Sequence, residues 1–353
     1  MRKLIRCTAA LTLALVTLAA GSVRADVVQR GASAATTAAA TESGTSGGAV
    51  VDQNSVGTAE TAANQSSTAA VQATTAATSH GSGMNSGAAK VVTSTLFGGD
   101  ELMLVAPRSA SQMMSFVIKT KNGKIIVVDG GLPQDEPHLV ETIKSFGNEV
   151  SAWILSHPHS DHGGAFTKLA ENGFEGLQID AFYYNIREQA WYDKYESYRA
   201  DMVNTIRNSI AKLPAGVSHM TSKGEVYYVD GVAIHVLNDP YWIESNSINN
   251  SSVVFRLDFD NGKRVLFLGD MGPAAGERLK ADVPASELKA DIVQMAHHGQ
   301  YGVNKDVYEL IAPKVAMWNA PGWLWDNDGG SGYNTGNYKT LEVRAWMDEI
   351  GTK

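Results

Sequence analysis

The sequence predicts an α+β fold in which two facing mixed sheets carry helices on their outer sides. Three observations predict it. Short, hairpin-like apolar runs recur along the chain, segments of helical period separate them, and three of the apolar runs end in residue types that bind metal ions. The folded part spans residues 91–353, 263 residues with no internal repeat. In order, strands are predicted at 102–106, 116–120 and 124–129, a helix at 136–146, and a strand at 152–156. Residues 188–212 form the longest helical pattern, with Trp191, Tyr195, Tyr198, Met202, Ile206 and Ile210 at helical spacing. Further strands are predicted at 226–229, 232–237, 253–258, 265–268 and 292–296. A helix near 305–311, a strand at 315–318 and a last helix near 340–350 complete the pattern.

Two segments precede this domain. Residues 1–25 read as an export signal: Arg2, Lys3 and Arg6 open it, an apolar run fills 7–20, and Val23-Arg24-Ala25 offers small cleavage residues. Residues 26–90 read as a tether. Of the 59 residues from 31 to 89, 44 are Ala, Thr, Ser or Gly, and none is Phe, Trp, Tyr, Leu or Ile, so nothing offsets the entropy of ordering them. No segment of the mature chain has the apolar length of a membrane span. The expected location is therefore secreted or at the cell surface.

Cys7 is the only cysteine and lies within the signal, so no thiol or disulfide serves the mature domain. The formal charge is −8, and loss of the four cations of the signal leaves −12. That balance argues against sequence-independent nucleic-acid binding, which depends on clustered Lys and Arg.

The most informative segment is Ser156-His157-Pro158-His159-Ser160-Asp161-His162-Gly163-Gly164. It follows the apolar run Trp153-Ile154-Leu155 and precedes a helical stretch. A lone histidine is ordinarily a surface residue. Three imidazoles and a carboxylate within six residues are not, and those donors suit zinc and other first-row metals. On a tight turn, His157 and His159 can point to one side and Asp161 and His162 to the other, which makes two adjacent metal positions. Val265-Leu266-Phe267-Leu268 ends in Gly269-Asp270, and Ile292-Val293-Gln294-Met295-Ala296 ends in His297-His298-Gly299. All three segments place ligands just after strands, so they can converge on one edge of the core.

This order of motifs resembles the metallo-β-lactamase superfamily. Asn249-Asn250-Ser251-Ser252, Leu268-Gly269-Asp270 and His297-His298-Gly299 look like the extracellular hydrolase domain of ComEC-type competence proteins, and secreted phosphorylcholine esterases share a similar set. The resemblance covers about residues 95–350. It implies an αββα sandwich with two divalent metal ions, zinc being the metal that suits the donors. His157 and His159 would bind the first ion, and Asp161 and His162 the second. Asp270 would bridge them. His297 is the first choice of strand-end ligand, with His298 the alternative. Asp129, in Val127-Val128-Asp129-Gly130-Gly131, matches a structural aspartate that braces the metal loop. Many members carry another histidine where this chain has Asn249-Asn250-Ser251, which implies a weaker first site. His235 reads as a sheet-face residue, and His219, His138 and His80 as surface residues.

Two metals would lower the pKa of a shared water and make hydroxide available near neutral pH. Asp161 could also accept a proton from that water. No Gly-rich nucleotide loop is present, so no cofactor beyond metal is implied. Aromatics cluster at Tyr183, Tyr184, Trp191, Tyr192, Tyr195 and Tyr198, read mostly as a packing face, and at Trp318, Trp323, Trp325, Tyr333 and Tyr338. Asn250, Trp323 and Trp325 are assigned to the substrate side. The leading expectation is a secreted metal-dependent hydrolase of a phosphodiester or related ester, acting on a small molecule or a wall polymer. An extracellular nuclease, a β-lactam hydrolase and a non-catalytic wall-associated binding module are the alternatives.

Overall fold

The computed structural model describes residues 90–93 and 98–353. The expected export signal and all but the last residue of the expected tether lie outside the described residues, as does His80. Among the described residues no helix is long and apolar enough to cross a membrane.

The first sheet is built from β1 (Lys90–Thr93), β2 (Glu101–Leu104), β3 (Ser115–Lys119), β4 (Ile125–Asp129), β5 (Glu149–Ile154), β6 (Gln178–Ile179), β7 (Phe182–Tyr184) and β8 (Ser218–Met220). Its strand order is β1-β2-β3-β4-β5-β7-β8, with β6 also paired to β5. The second is built from β9 (Val226–Val229), β10 (Val232–Val236), β11 (Phe255–Phe259), β12 (Arg264–Phe267), β13 (Ile292–Gln294) and β14 (Val315–Met317). Its order is β14-β13-β12-β11-β10-β9. Both sheets are mixed: β4, β5 and β7 run parallel, as do β12, β13 and β14, while the hairpins are antiparallel.

The alternation of side chains along each strand explains the layering. Phe116, Ile118, Ile126, Val128 and Ile154 of the first sheet meet Ile234, Val236, Phe255, Leu257 and Phe267 of the second. The intervening residues Val117, Val127 and Trp153 face the other way. They pack under α1 (Glu136–Phe146), α2 (Ser160–Glu171) and α4 (Ala200–Ile210) through Leu139, Ile143, Phe166, Leu169 and Ile206. On the far side of the second sheet, Val254, Leu266 and Val293 pack under α5 (Pro273–Asp282), α7 (Lys305–Ile311) and α9 (Thr340–Ile350). The result is the predicted sandwich, helices outside two facing sheets. Short helices α3 (Gln189–Tyr195), α6 (Ala285–Leu288) and α8 (Gly322–Trp325) complete the elements.

The predicted helix over 188–212 is two helices, α3 and α4, with a break around Glu196. The metal motif differs from expectation in that Ser160 already begins α2, so Asp161 and His162 lie in a helical first turn rather than on a loop. The two glycines that follow let α2 approach its neighbours. A Cβ on Gly164 would come within 2.5 Å of Pro133 Cδ and 2.8 Å of Pro133 N. A Cβ on Gly163 would meet side chains alone, Ile206 Cδ1 at 2.8 Å, Ile206 Cγ1 at 3.2 Å and Leu155 Cδ1 at 3.4 Å. Gly164→Ala is therefore expected to cost about 1–3 kcal/mol as a rigid overpacking, and Gly163→Ala clearly less. Thermal melts of the two variants check this order.

Candidate metal centre

Parallel pairing delivers the site residues to one edge. In the first sheet, Asp129 ends β4 and Ser156 and His157 follow its neighbour β5. In the second sheet, Phe267, Gln294 and Met317 stand in register on β12, β13 and β14. Asp270, His298 and Asn319 therefore emerge side by side. Val253 N donates to Ser156 O at 2.9 Å and joins the two sheets at this edge.

Two ligand groups result. Asp161, His162, Asp270 and His298 form one, and His157, His159 and Asp270 the other, with one donor atom from each residue within 4.8 Å of those of its group. Asp270 belongs to both. His157, His159, Asp161, His162 and Asp270 are thus brought together as the sequence placed them. His297, the first choice of strand-end ligand, lies outside both groups, and His298 takes the place. The backbone gives the reason. His297, His298 and Gly299 are left-handed in succession, with φ of 50°, 56° and 79°. This turn drives His298 into the cluster and leaves His297 at the rim, with 20% of its side-chain surface exposed. Two adjacent non-glycine residues in this region cost on the order of 1–3 kcal/mol each and persist only where the surroundings hold them.

The ring nitrogens are set by their outer partners. Asp129 Oδ2 accepts from His162 Nδ1 at 2.8 Å, and the same carboxylate accepts from Ser156 N and Ser156 Oγ, both at 2.8 Å. Asn319 O accepts from His298 Nδ1 at 2.9 Å. Both histidines therefore present Nε2 inward. His162 Nε2 lies 3.1 Å from Asp270 Oδ1, and His298 Nε2 lies 3.2 Å from Asp161 Oδ2 and 3.5 Å from Asp270 Oδ2. Gln294, buried on β13, clamps the turn before Asp270. Its Oε1 accepts from Leu268 N and Gly269 N, both at 2.8 Å, and its Nε2 donates to Gly269 O at 3.0 Å. Asp270 N donates to Ser252 Oγ at 3.0 Å. A glutamine inside the apolar run Ile-Val-Gln-Met-Ala was the available signal for this clamp, because buried polar side chains are kept for such partners.

The donors fit metal ions. His157 Nε2, His162 Nε2 and Asp270 Oδ1 are buried without a hydrogen-bond partner. Leaving such atoms unsatisfied costs roughly 1–3 kcal/mol each. A cation would satisfy all three. The electrostatics agree. Burial pushes His157 well below the ordinary imidazole range, so it is held in the neutral form that binds metal. Burial acts the same way on His162 and His298, but Asp270 with Asp129 raises the first and Asp270 with Asp161 the second. The carboxylates thus gather positive charge at the spot where a metal ion would supply it.

Other expectations resolve individually. Asn250 is tied at both ends of its amide, donating to Ser245 O at 2.7 Å and accepting from Gly272 N at 3.0 Å. Trp323 donates to Ala110 O at 2.8 Å and lies against Tyr338. Trp325 packs edge-on to Trp318 and under Arg344. Among the first aromatics, Tyr192 is buried with its hydroxyl 3.0 Å from Ser251 Oγ, whereas Tyr198 is exposed. His138, expected at the surface, is buried on α1 with Nε2 3.1 Å from Ala106 O. His235 does lie on a sheet face, 3.4 Å from Asp258.

A profile of the metallo-beta-lactamase superfamily matches residues 110–322. Several solved structures are similar. A metallo-beta-lactamase fold protein of Bacillus subtilis is 11% identical, with 63% of this chain and 87% of that chain covered and a TM-score of 0.40. A subclass B3 metallo-beta-lactamase from a soil metagenome library is 14% identical, with 72% and 84% covered and a TM-score of 0.39. A diphosphatase of the PhnP family is 12% identical, with 62% and 78% covered and a TM-score of 0.37. A search of curated proteins gives no match.

Proposed function

The chain belongs to the metallo-beta-lactamase superfamily of hydrolases, and we propose that it is a two-metal enzyme that hydrolyses a phosphodiester or related ester outside the cell. The observation that carries this reading is the pair of buried ligand groups sharing Asp270. His157, His159 and Asp270 would hold the first ion. Asp161, His162, Asp270 and His298 would hold the second, and zinc suits both sets. When bound, such ions would acidify water and polarise a phosphoryl or carbonyl oxygen.

The chain's own residues do the rest. Asp129 and the Asn319 carbonyl fix the tautomers of His162 and His298. Asp161 is the one member of the four-residue group whose side chain reaches solvent, 22% exposed against 1% or less for the others. It is therefore placed to accept a proton at the mouth of the site. Two divalent cations against two ligand carboxylates leave the centre positive, which favours an anionic diester over a neutral ester. The expected mature charge of −12 disfavours a long polyanion, since it acts over a Debye length of roughly 8 Å at physiological salt. Within the superfamily, the phosphorylcholine-esterase-like motifs support a small or wall-attached diester, and the ComEC-type motifs support the alternative, an extracellular nuclease.

The test is metal analysis of the purified chain and its activity on bis-nitrophenyl phosphate, phosphorylcholine esters, DNA and a β-lactam. Cleavage of the small diesters, lost with chelator and in His159→Ala and Asp161→Ala, is expected. Efficient DNA degradation with the small diesters intact would replace this reading with a nuclease. The two ions are expected to differ in affinity, because one group has four ligand residues and the other three. Titration of the metal-free chain should resolve a weaker ion at His157 and His159, and two equally tight ions would contradict this.

A further inference from the structure

Glu196 lies where the predicted long helix breaks, between α3 and α4, and it is 2% exposed. A buried carboxylate is costly unless it has partners; the Tyr198 hydroxyl donates to Glu196 Oε1 at 3.4 Å from the outer side, and its other partners belong to the metal centre or lead to it. Glu196 Oε1 lies 3.7 Å from His159 Nε2. Glu196 Oε2 accepts from Ile248 N at 2.9 Å and Ser247 Oγ at 3.3 Å, immediately before the turn that starts at Asn249. Arg199 Nη1 stands 3.9 Å from Glu196 Oε1 and 3.5 Å from His159 Nε2.

The ring of His159 has two nitrogens. Nε2 faces Glu196 and Arg199, so Nδ1 is left for the ligand group shared with His157 and Asp270. Binding through Nδ1 requires the proton on Nε2, and the tautomer decides between two contacts. A protonated Nε2 would donate to Glu196 Oε1, 3.7 Å away. An unprotonated Nε2 would accept from Arg199 and put the proton on Nδ1, where it blocks a metal. We infer that Glu196 is the positioning residue of the weaker metal site: it selects the His159 tautomer that leaves Nδ1 free and anchors the turn carrying Asn249. Arg199 compensates its charge. A metal-bound histidine usually donates its other N–H to a carboxylate or carbonyl, and loss of that partner typically weakens metal binding about 10–100-fold. His162 and His298 have such partners in Asp129 and Asn319. Glu196 supplies the one for His159.

The inference rests on the two-metal reading, and calorimetric zinc titration of the metal-free full chain separates the two. Glu196→Gln keeps an acceptor for Ile248 N but removes the carboxylate charge. It is expected to weaken the lower-affinity ion about 10–100-fold, leave the tighter ion unchanged, and leave the melting temperature of the metal-free chain unchanged. Arg199→Ala removes the competing donor and should not weaken that ion. Nitrogen NMR of His159 should show the proton on Nε2 in the native chain and a mixed tautomer in Glu196→Gln. If Glu196→Gln does not fold, the Arg199→Ala titration and the native His159 spectrum decide: a weakened ion, or a proton on Nδ1, overturns the assignment. Native-like zinc affinities in a folded Glu196→Gln variant overturn it as well, with the two-metal reading intact. A native chain that binds no zinc overturns both.

Discussion

Asp270→Ala is expected to cut hydrolysis by about three orders of magnitude and to damage both metal positions, not one. Its carboxylate is common to both ligand groups. Without it, His157 and His159 alone remain on one side, and Asp161, His162 and His298 on the other. Two imidazoles seldom hold a divalent ion against water, so the first ion should be absent after dialysis. The second should bind with reduced affinity. A metal centre supplies several kcal/mol of transition-state stabilisation, and each 1.36 kcal/mol is tenfold in rate. The rate should therefore fall by about three orders of magnitude. Metal analysis after dialysis, with circular dichroism to verify the fold, checks the result. Retention of two ions would remove Asp270 from the shared position. The clamp around Asp270 makes a second comparison possible. Gln294 bonds the turn at Leu268 and Gly269 without touching a metal position, so Gln294→Leu should lower metal affinity at both positions by a smaller factor than Asp270→Ala.

Much of this centre was legible because its residues follow a local rule. Apolar strands such as Val265–Leu268 fix where a chain emerges from the core, and the first residues after them have nowhere to be but the edge. That rule places His157, His159, Asp161, His162 and Asp270 at one edge, where the structure brings them into the two candidate ligand groups. The helices of α1, α7 and α9 were legible for a similar reason, since their apolar faces recur at helical spacing and their ends carry Gly or Pro. What was not legible depends on contacts between distant segments. The helix pattern over 188–212 is unbroken in sequence, but Glu196 turns inward to reach Ile248 N and His159. A buried partner some fifty residues away leaves no periodic trace. Strands β7 and β8 are three residues each and are held by parallel pairing to neighbours, too short to show alternation. The segment that forms α5 buries only Ala275, Gly276 and Leu279, which is too little apolar surface to register as an amphipathic face. The expected export signal and, but for Lys90, the expected tether lie outside the described residues.

The pair His297-His298 poses the remaining large contrast. Sequence cannot rank two adjacent histidines after one strand, because either can be turned toward the edge. Geometry ranks them. His298 is fully buried, donates Nδ1 to Asn319 O, and holds Nε2 within 3.5 Å of both Asp161 and Asp270. His297 is at the rim, with Nδ1 3.2 Å from Tyr301 O and Nε2 3.3 Å from Asn249 Nδ2 and 3.9 Å from Asp270 Oδ2. Because Tyr301 O can only accept, Nδ1 carries the proton and Nε2 takes the Asn249 amide as its donor. Its lone pair is thus already engaged and is not offered to a metal. His298→Ala is therefore expected to weaken binding of the second ion, leaving it three of its four ligand residues, and to lower the rate by about three orders of magnitude, on the same footing as Asp270→Ala. His297→Ala should keep both ions, since no donor of either group is removed. Any activity it loses should come without metal loss, as expected of a residue that borders the substrate. Metal counting on the two variants side by side decides between them. Loss of an ion in His297→Ala, with both retained in His298→Ala, would return the ligand role to His297.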